Sequence, residues 1–114
     1  MDNILKYEVD LDAKSIKMCK SKVECQKGES IEIKFNVSNL QDSNYRIKLI
    51  GESVYPDSAI EKIDLDVDGF KVRLDNTFTN RVKSCMCELH IFNGECLTIT
   101  NRFIINVIDS YWGL

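Results

Sequence analysis

The sequence predicts an all-β fold, an antiparallel β-sandwich of about seven to eight strands, with a small β-barrel as the runner-up. Apolar and polar residues alternate with a period of two in several short segments. Turn signals separate these segments at spacings of about ten residues, as is typical of all-β domains. No stretch of the chain shows the period of an amphipathic helix.

The alternation places the strands in chain order. The predicted strands are residues 7–11, 16–18, 31–37, 45–49, 63–67, 70–74, 85–91 and 97–107. Polar or turn-rich segments connect them, at Lys27-Gly28 and at residues 39–44, 51–58 and 76–81.

The most informative segment lies between Ile63 and Leu74, where the apolar parity flips across Asp68-Gly69. A two-residue hairpin loop requires such a flip. We therefore predict a hairpin with three apolar pairs on one face: Val67 with Phe70, Leu65 with Val72, and Ile63 with Leu74. The other face would contact water or a partner, and it carries Asp64, Asp66, Lys71 and Arg73.

A second turn is predicted at Asn93-Gly94. Beyond it the apolar residues keep the parity of the preceding strand, from Leu97 and Ile99 through to Val107. Such a hairpin needs a loop of odd length, so we predict three residues with a bulge.

Composition narrows the class of protein. A chain of 114 residues that is 44% hydrophobic and 29% charged fits one soluble globular domain, residues 1–114. The net charge of -3 disfavours nucleic acid, which requires a positive surface. No apolar run reaches the length of a membrane span, so no membrane partner is expected.

The charge is unevenly distributed. Residues 14–27 are mainly basic, whereas residues 52–68 are mainly acidic. These segments form either two solvated surfaces or a basic edge that meets the acidic edge of a neighbour.

The number of cysteines is odd, and the N-terminal residues do not show the pattern of a signal peptide. The cysteines are Cys19, Cys25, Cys85, Cys87 and Cys96. They are predicted to be free thiols from a reducing compartment, mostly buried as small hydrophobic residues. Cys85 and Cys87 share one strand face and are predicted to be core residues rather than zinc ligands. Cys19 and Cys25 flank a turn and could meet across it.

One motif resembles a calcium-binding EF-hand loop: Asp64-x-Asp66-x-Asp68-Gly69 followed by Asp75. Both flanks have the period of strands, whereas an EF-hand loop lies between helices. Lys71 stands where an EF-hand loop has an apolar residue, and Val72 stands where it has a side-chain oxygen ligand. We predict no metal site and no cofactor, and leave open a weak cation site at the hairpin tip.

No catalytic set is evident, so we predict that the protein is not an enzyme. His90, the only histidine, alternates out of the apolar face and is predicted to lie on the surface. No nucleophile elbow, phosphate loop or dinucleotide fingerprint is present.

Residues 109–114 form a candidate partner-docking tail. Tyr111, Trp112 and Leu114 are the predicted partner-binding residues, because Trp and Tyr dominate binding hot spots. The alternative is that this tail covers an open edge of its own domain.

Several segments together resemble the N-terminal domain of phage baseplate upper proteins and related tail-tip proteins of phages that infect Gram-positive bacteria. They include an opening strand at residues 7–11, strands at residues 30–37 and 45–50, the Asp-Gly hairpin, residues 87–94, and a closing strand at residues 100–107. The resemblance implies an immunoglobulin-like sandwich and a virion component. The family domain is followed by a stalk and a receptor-binding portion, whereas this chain stops at Leu114, so we expect the attachment module alone.

There are three functional hypotheses, of which the resemblance implies the first. The first is a non-enzymatic assembly subunit of a phage tail, baseplate or tail-derived particle, placed in the virion and assembled in the bacterial cytoplasm. Its partners would be other virion subunits, with a homo-oligomer as one form, and a capsid decoration protein is the nearest alternative. The second is a small intracellular module that binds or inhibits a host protein. The third is a calcium-dependent carbohydrate- or cation-binding sandwich.

Overall fold

The computed structural model describes residues 4–40 and 45–109. Within these ranges the strands are β1 (Leu5–Asp12), β2 (Lys22–Gln26), β3 (Ile31–Ser38), β4 (Arg46–Val54), β5 (Ile60–Val67), β6 (Lys71–Leu74), β7 (Lys83–Asn93), β8 (Cys96–Ile99) and β9 (Phe103–Ile108). A one-turn helix, α1 (Asn76–Thr79), lies within the segment predicted to be a polar loop. No helix in the described ranges is long and apolar enough to cross a membrane.

Two sheets pack face to face. The small sheet has the order β1-β3-β6, and the large sheet follows the path β2-β9-β7-β4-β5, with β8 paired to β7. This arrangement confirms the predicted all-β sandwich. The sheets are mixed rather than wholly antiparallel, because β1 runs parallel to β3 and β2 runs parallel to β9. The parallel pairing of β1 and β3 follows from chain order, since the intervening β2 belongs to the large sheet.

Alternation buries one face of each sheet in a shared core. The small sheet contributes residues such as Ile33 and Phe35, and the large sheet contributes Leu89 and Phe103. The rings of Phe35 and Phe103 meet edge to face across the two sheets, with centroids 5.5 Å apart. This packing confirms the inward face predicted for the strands that carry these residues.

The Asp-Gly turn exists, but the predicted hairpin ladder is wrong. Asp68 and Lys71 exchange backbone hydrogen bonds of 3.2 and 3.0 Å, so the two loop residues are Gly69 and Phe70, both with positive φ. Beyond this bridge β5 pairs with β4 and β6 pairs with β3, in different sheets. The predicted pairs Val67–Phe70, Leu65–Val72 and Ile63–Leu74 therefore do not form.

A hydrogen bond from the small sheet accounts for this change of sheet. The backbone N–H of Phe35 on β3 donates to the carbonyl of Phe70 at 2.8 Å, which ties the turn to the small sheet. Ile63 and Leu74 still face the same core, but from opposite sheets.

The loop predicted after Asn93 is also wrong. Asn93 pairs with Cys96, so the loop has two residues, Gly94 and Glu95, and no third residue or bulge. A two-residue loop reverses the parity. Leu97 and Ile99 therefore point away from the core and are 48% and 45% exposed.

Two further boundaries differ from the prediction. No strand forms at Ile16 and Met18, and the Ile16 side chain is 98% exposed. The second strand is instead β2, where Val23 and Cys25 are buried between charged or polar neighbours. The segment predicted to begin a connection at Gly51 continues β4 as far as Val54, because β4 pairs on both sides with β5 and β7.

Candidate functional site

The EF-hand-like motif lies on strands. Asp64 and Asp66 are exposed on β5, and Asp64 forms a 2.9 Å ion pair with Lys48. The Asp75 carboxylate caps α1 by accepting a 3.0 Å hydrogen bond from the N–H of Thr77. Within residues 4–40 and 45–109, no group of three or more His, Cys, Asp or Glu side chains could hold a metal ion.

The cysteines are free thiols, and their burial differs from one to the next. Cys25, Cys85 and Cys87 are buried, Cys19 is partly buried and Cys96 is exposed. Burial raises the pKa of Cys25 to about 11 and also raises the pKa values of Cys85 and Cys87. These three thiols therefore stay protonated, which makes them poor nucleophiles.

His90 is partly exposed on the outer face of the large sheet. Its Nε2 lies 3.0 Å from Oε2 of Glu88, and the other oxygen of Glu88 lies 3.4 Å from Nε of Arg102. These polar contacts occupy the histidine with a neighbouring carboxylate, and no nucleophilic side chain takes part in them.

The outer face of the large sheet carries an exposed apolar group, which we define as the exposed Val54, Ile60 and Met86 together with the partly buried Ile104. Val54 pairs with Ile60 across β4 and β5, and Met86 pairs with Ile104 across β7 and β9. Val54 pairs directly with Ser84, so Met86 is its diagonal neighbour, a separation of roughly 7–8 Å. Val54, Ile60 and Met86 are 44%, 63% and 41% exposed. Four apolar side chains thus share a surface on which alternation would otherwise place polar residues.

The two edges of the large sheet carry opposite charge. One end strand, β2, begins at Lys22 and is preceded by the lysine-rich loop of residues 13–21. The other end strand, β5, exposes Asp64 and Asp66. Four strand spacings separate these edges, roughly 19 Å at about 4.8 Å each. The uneven charge seen in the sequence therefore becomes a dipole across one sheet.

The two edges differ in how accessible their backbone groups are. The Tyr7 hydroxyl, on β1, donates a 2.7 Å hydrogen bond to the carbonyl of Glu24 on β2. The β2 edge is therefore partly covered by the small sheet. Within the described chain β5 pairs with β4 alone, so its other edge is open.

A cavity of about 550 Å³ opens at the end of the sandwich near α1, and we call it the end pocket. The rings of Tyr55 and Phe78 form part of its wall, together with the cationic side chains of Arg73, Arg81 and Lys83. The Arg81 guanidinium lies 4.0 Å from the centroid of the Tyr55 ring, and the Lys83 ammonium lies 3.9 Å from that of Phe78. Both contacts are within the range of cation–π interactions.

Lys83 occupies an inward position at the start of β7, and its side chain is almost entirely buried, with 6% of the residue exposed. This pocket was not predicted from the sequence. The available signal was a lysine at the same parity as Cys85, Cys87 and Leu89, where an apolar residue is expected.

The predicted partner-binding residues Tyr111, Trp112 and Leu114 lie outside the described residues.

Comparisons with known proteins give one similarity of fold. No protein-family model matches this chain, and no curated protein matches it. Among solved structures, the chain is similar to the N-terminal domain of phage TP901-1 ORF48, with a TM-score of 0.53 and 7% sequence identity. The match covers 94% of this chain and 100% of the other. At this identity the similarity shows a shared fold, and it agrees at that level with the phage domain that the sequence resembles.

Proposed function

We propose that this protein is a non-enzymatic assembly subunit of a phage tail, baseplate or tail-derived particle. It acts through protein–protein contacts and resides in the virion. The observation that carries the proposal is the exposed apolar group on the outer face of the large sheet. Contiguous exposed apolar residues on a folded domain are typical of interaction surfaces.

The shared fold supports the phage context. The chain is similar over nearly its whole length to a domain of a phage protein, and its strand pattern resembles that of baseplate upper proteins. The expected partners are other virion subunits. The chemistry of the described residues supports a binding role, since the buried thiols are held protonated and His90 is paired with Glu88.

The charge dipole supports contacts between copies. A basic edge and an acidic edge on opposite sides of one sheet favour head-to-tail association, which produces a ring when the rotation closes. The open edge of β5 adds unpaired backbone groups that a neighbouring segment can use. Tyr111, Trp112 and Leu114 would anchor the tail of one subunit in the next.

Light scattering across a concentration series tests the proposal. The full chain is expected to form an oligomer of defined mass. Met86→Glu is expected to shift it toward the monomer, because the substitution places a charge in the apolar group. Leu97→Glu is a matched control, since Leu97 is similarly exposed, at 48% against 41% for Met86, but lies outside that group. A chain that ends at Asp109 tests the tail.

The results separate the hypotheses. Equal effects of Met86→Glu and Leu97→Glu would contradict the assignment of the contact to the apolar group. A monomer in every version and at every concentration would refute self-association. Capture of virion proteins by the immobilised chain would then support a heteromeric assembly role, whereas capture of a host enzyme would favour the intracellular binding module.

A further inference from the structure

We propose that the end pocket binds a carboxylate supplied by an acidic segment of a neighbouring subunit. The starting observation is the Lys83 ammonium, which belongs to an almost fully buried side chain on the pocket wall. Within the described residues this ammonium forms no hydrogen bond and no ion pair, and its contacts are the rings of Phe78 and Tyr55 at 3.9 and 5.7 Å. No side-chain nitrogen of the described residues is both buried and without a hydrogen-bond partner, so the buried part of Lys83 is its stem and the ammonium reaches the open pocket. A cation held there without an anionic partner favours an anionic ligand.

The other cations of the pocket are also uncompensated. No carboxylate in the described part of the chain forms an ion pair with Arg73 or Arg81. Arg81 lies over the Tyr55 ring, which fixes its guanidinium at the pocket wall. Arg81 and Lys83 therefore lie at one cavity without an ion-pair partner among the described residues, and the exposed Arg73 of β6 also lines it.

The acids of the pocket already have other partners. The Asp75 carboxylate caps α1 through its hydrogen bond from Thr77. Glu61 lies beside Tyr55, whose pKa is raised first by burial and then by the charge and hydrogen bonding of Glu61. Neither carboxylate forms an ion pair with Arg81 or Lys83 in the described part of the chain, so an external carboxylate complements the pocket.

The shape of the pocket favours a peptide segment over a small free anion. A cavity of about 550 Å³ exceeds the needs of a single small anion and lies within the range of ligand-binding clefts. Leu65 and Leu74 also line it, which provides apolar contact for residues that flank the carboxylate. Because the whole chain carries a net charge of -3, an acidic segment gains little from long-range attraction and must be recognised by this local cluster.

An NMR titration of the isotope-labelled full chain at low ionic strength tests the proposal. The probes are a blocked Leu-Glu-Glu-Leu tetrapeptide, its Leu-Gln-Gln-Leu counterpart, and inorganic phosphate. The acidic peptide is expected to shift the amide signals of Phe78, Arg81 and Lys83. Lys83→Met, which keeps the length of the side chain and removes the charge, should weaken binding by about tenfold, the effect of losing a charged hydrogen bond. Lys22→Met removes an exposed lysine on β2 and should change binding by less than about twofold.

Three results would overturn the proposal. They are equal binding of the glutamine peptide, equal weakening by both lysine substitutions, and tighter binding of phosphate than of the acidic peptide at the same signals. If Lys83→Met does not fold, Arg81→Gln provides the second variant and should weaken binding by about threefold or more. The inference rests on the proposed function for the source of the carboxylate. Its test uses the isolated chain and a peptide, so a failure here would leave the light-scattering result standing, and the reverse also holds.

Discussion

Gly51 is the residue whose substitution tests the packing of the two central strands most directly. It lies in β4 opposite Cys87 of β7. A methyl group at its Cα would lie 2.2 Å from the carbonyl oxygen of Met86 and 2.9 Å from the Cα of Cys87. Both contacts are with backbone atoms, which cannot rotate away as a flexible side chain can. Gly51→Ala must therefore push β4 away from β7.

The magnitude follows from two contributions. Overpacking in a well-packed interior costs about 1–3 kcal/mol. Each ladder hydrogen bond that is lengthened or lost adds about 1 kcal/mol, and we expect a local separation of the strands to affect one or two of them. The expected loss in the free energy of unfolding is about 2–5 kcal/mol, a large fraction of the 5–15 kcal/mol that is typical of native proteins. At about 4 °C per kcal/mol, the melting temperature should fall by about 8–20 °C.

Urea denaturation followed by circular dichroism measures this loss, and Gly94→Ala is the matched control. Gly94 also has no side chain, but its added methyl group would meet nothing within 4 Å, and its φ of 61° introduces backbone strain alone. That strain costs about 1–2 kcal/mol. A loss for Gly51→Ala no larger than that for Gly94→Ala would refute the close approach of β4 and β7.

Three further predictions concern the core, the thiols and one surface carboxyl. Phe103→Ala should lower the free energy of unfolding by about 3–5 kcal/mol in urea titrations, because Phe103 is fully buried against Phe35. Phe92 is partly exposed, so Phe92→Ala should lower it by only about 1 kcal/mol. Alkylation at pH 8, followed by mass spectrometry, should label the exposed Cys96 first. Cys25 and Cys87 should be labelled only after denaturation, because burial raises the pKa values of these two thiols. Early labelling of Cys87 would contradict its burial. Hydrogen bonds from the Asn39 side chain and the Lys14 N–H lower the pKa of the Asp12 carboxyl. The contribution of Asp12 to stability is therefore present at pH values above its pKa in the unfolded chain, and it is lost as the pH falls through its lower pKa in the folded protein. Asn39→Ala should raise the pKa of Asp12 in an NMR titration, and an unchanged value would assign the shift to Lys14 instead.

Strand identity was predictable wherever one face of a strand is buried. The alternation around Ile33 and around Cys87 reports burial directly, because successive side chains in a strand point to opposite faces. The same rule identified the inward residues of β5 and β6. The element that it missed, β2, is short and lies at the sheet edge, where two buried residues give a weak signal. The apolar pair Ile16 and Met18 gave a false signal of similar strength.

Strand pairing was not predictable from the same pattern. A parity flip at Asp68-Gly69 fits a hairpin within one sheet, and it also fits a chain that crosses from one sheet to the facing sheet. In both cases Ile63 and Leu74 point into one core. The contact that distinguishes the two is the hydrogen bond between Phe35 and Phe70, made by residues 35 positions apart in the sequence. Local residue chemistry does not specify such a pairing.

The end pocket was missed for a different reason. Five of the six residues of the segment 76–81 are polar, Phe78 being the exception, and the pocket arises only when this segment folds against Tyr55 and the start of β7. One local conflict did mark the place, because Lys83 is a charged residue at a core position. Such conflicts between a residue and its environment are expected at functional sites, where recognition is favoured at the expense of stability. If Lys83 serves the fold alone, Lys83→Met should lower the melting temperature and leave peptide binding intact, because it removes the contacts of the ammonium with the rings of Phe78 and Tyr55. If Lys83 serves recognition, the same substitution should leave the melting temperature nearly unchanged while it weakens carboxylate binding by about tenfold. A stable variant that has lost binding would therefore show that this lysine is present for a ligand and not for the core.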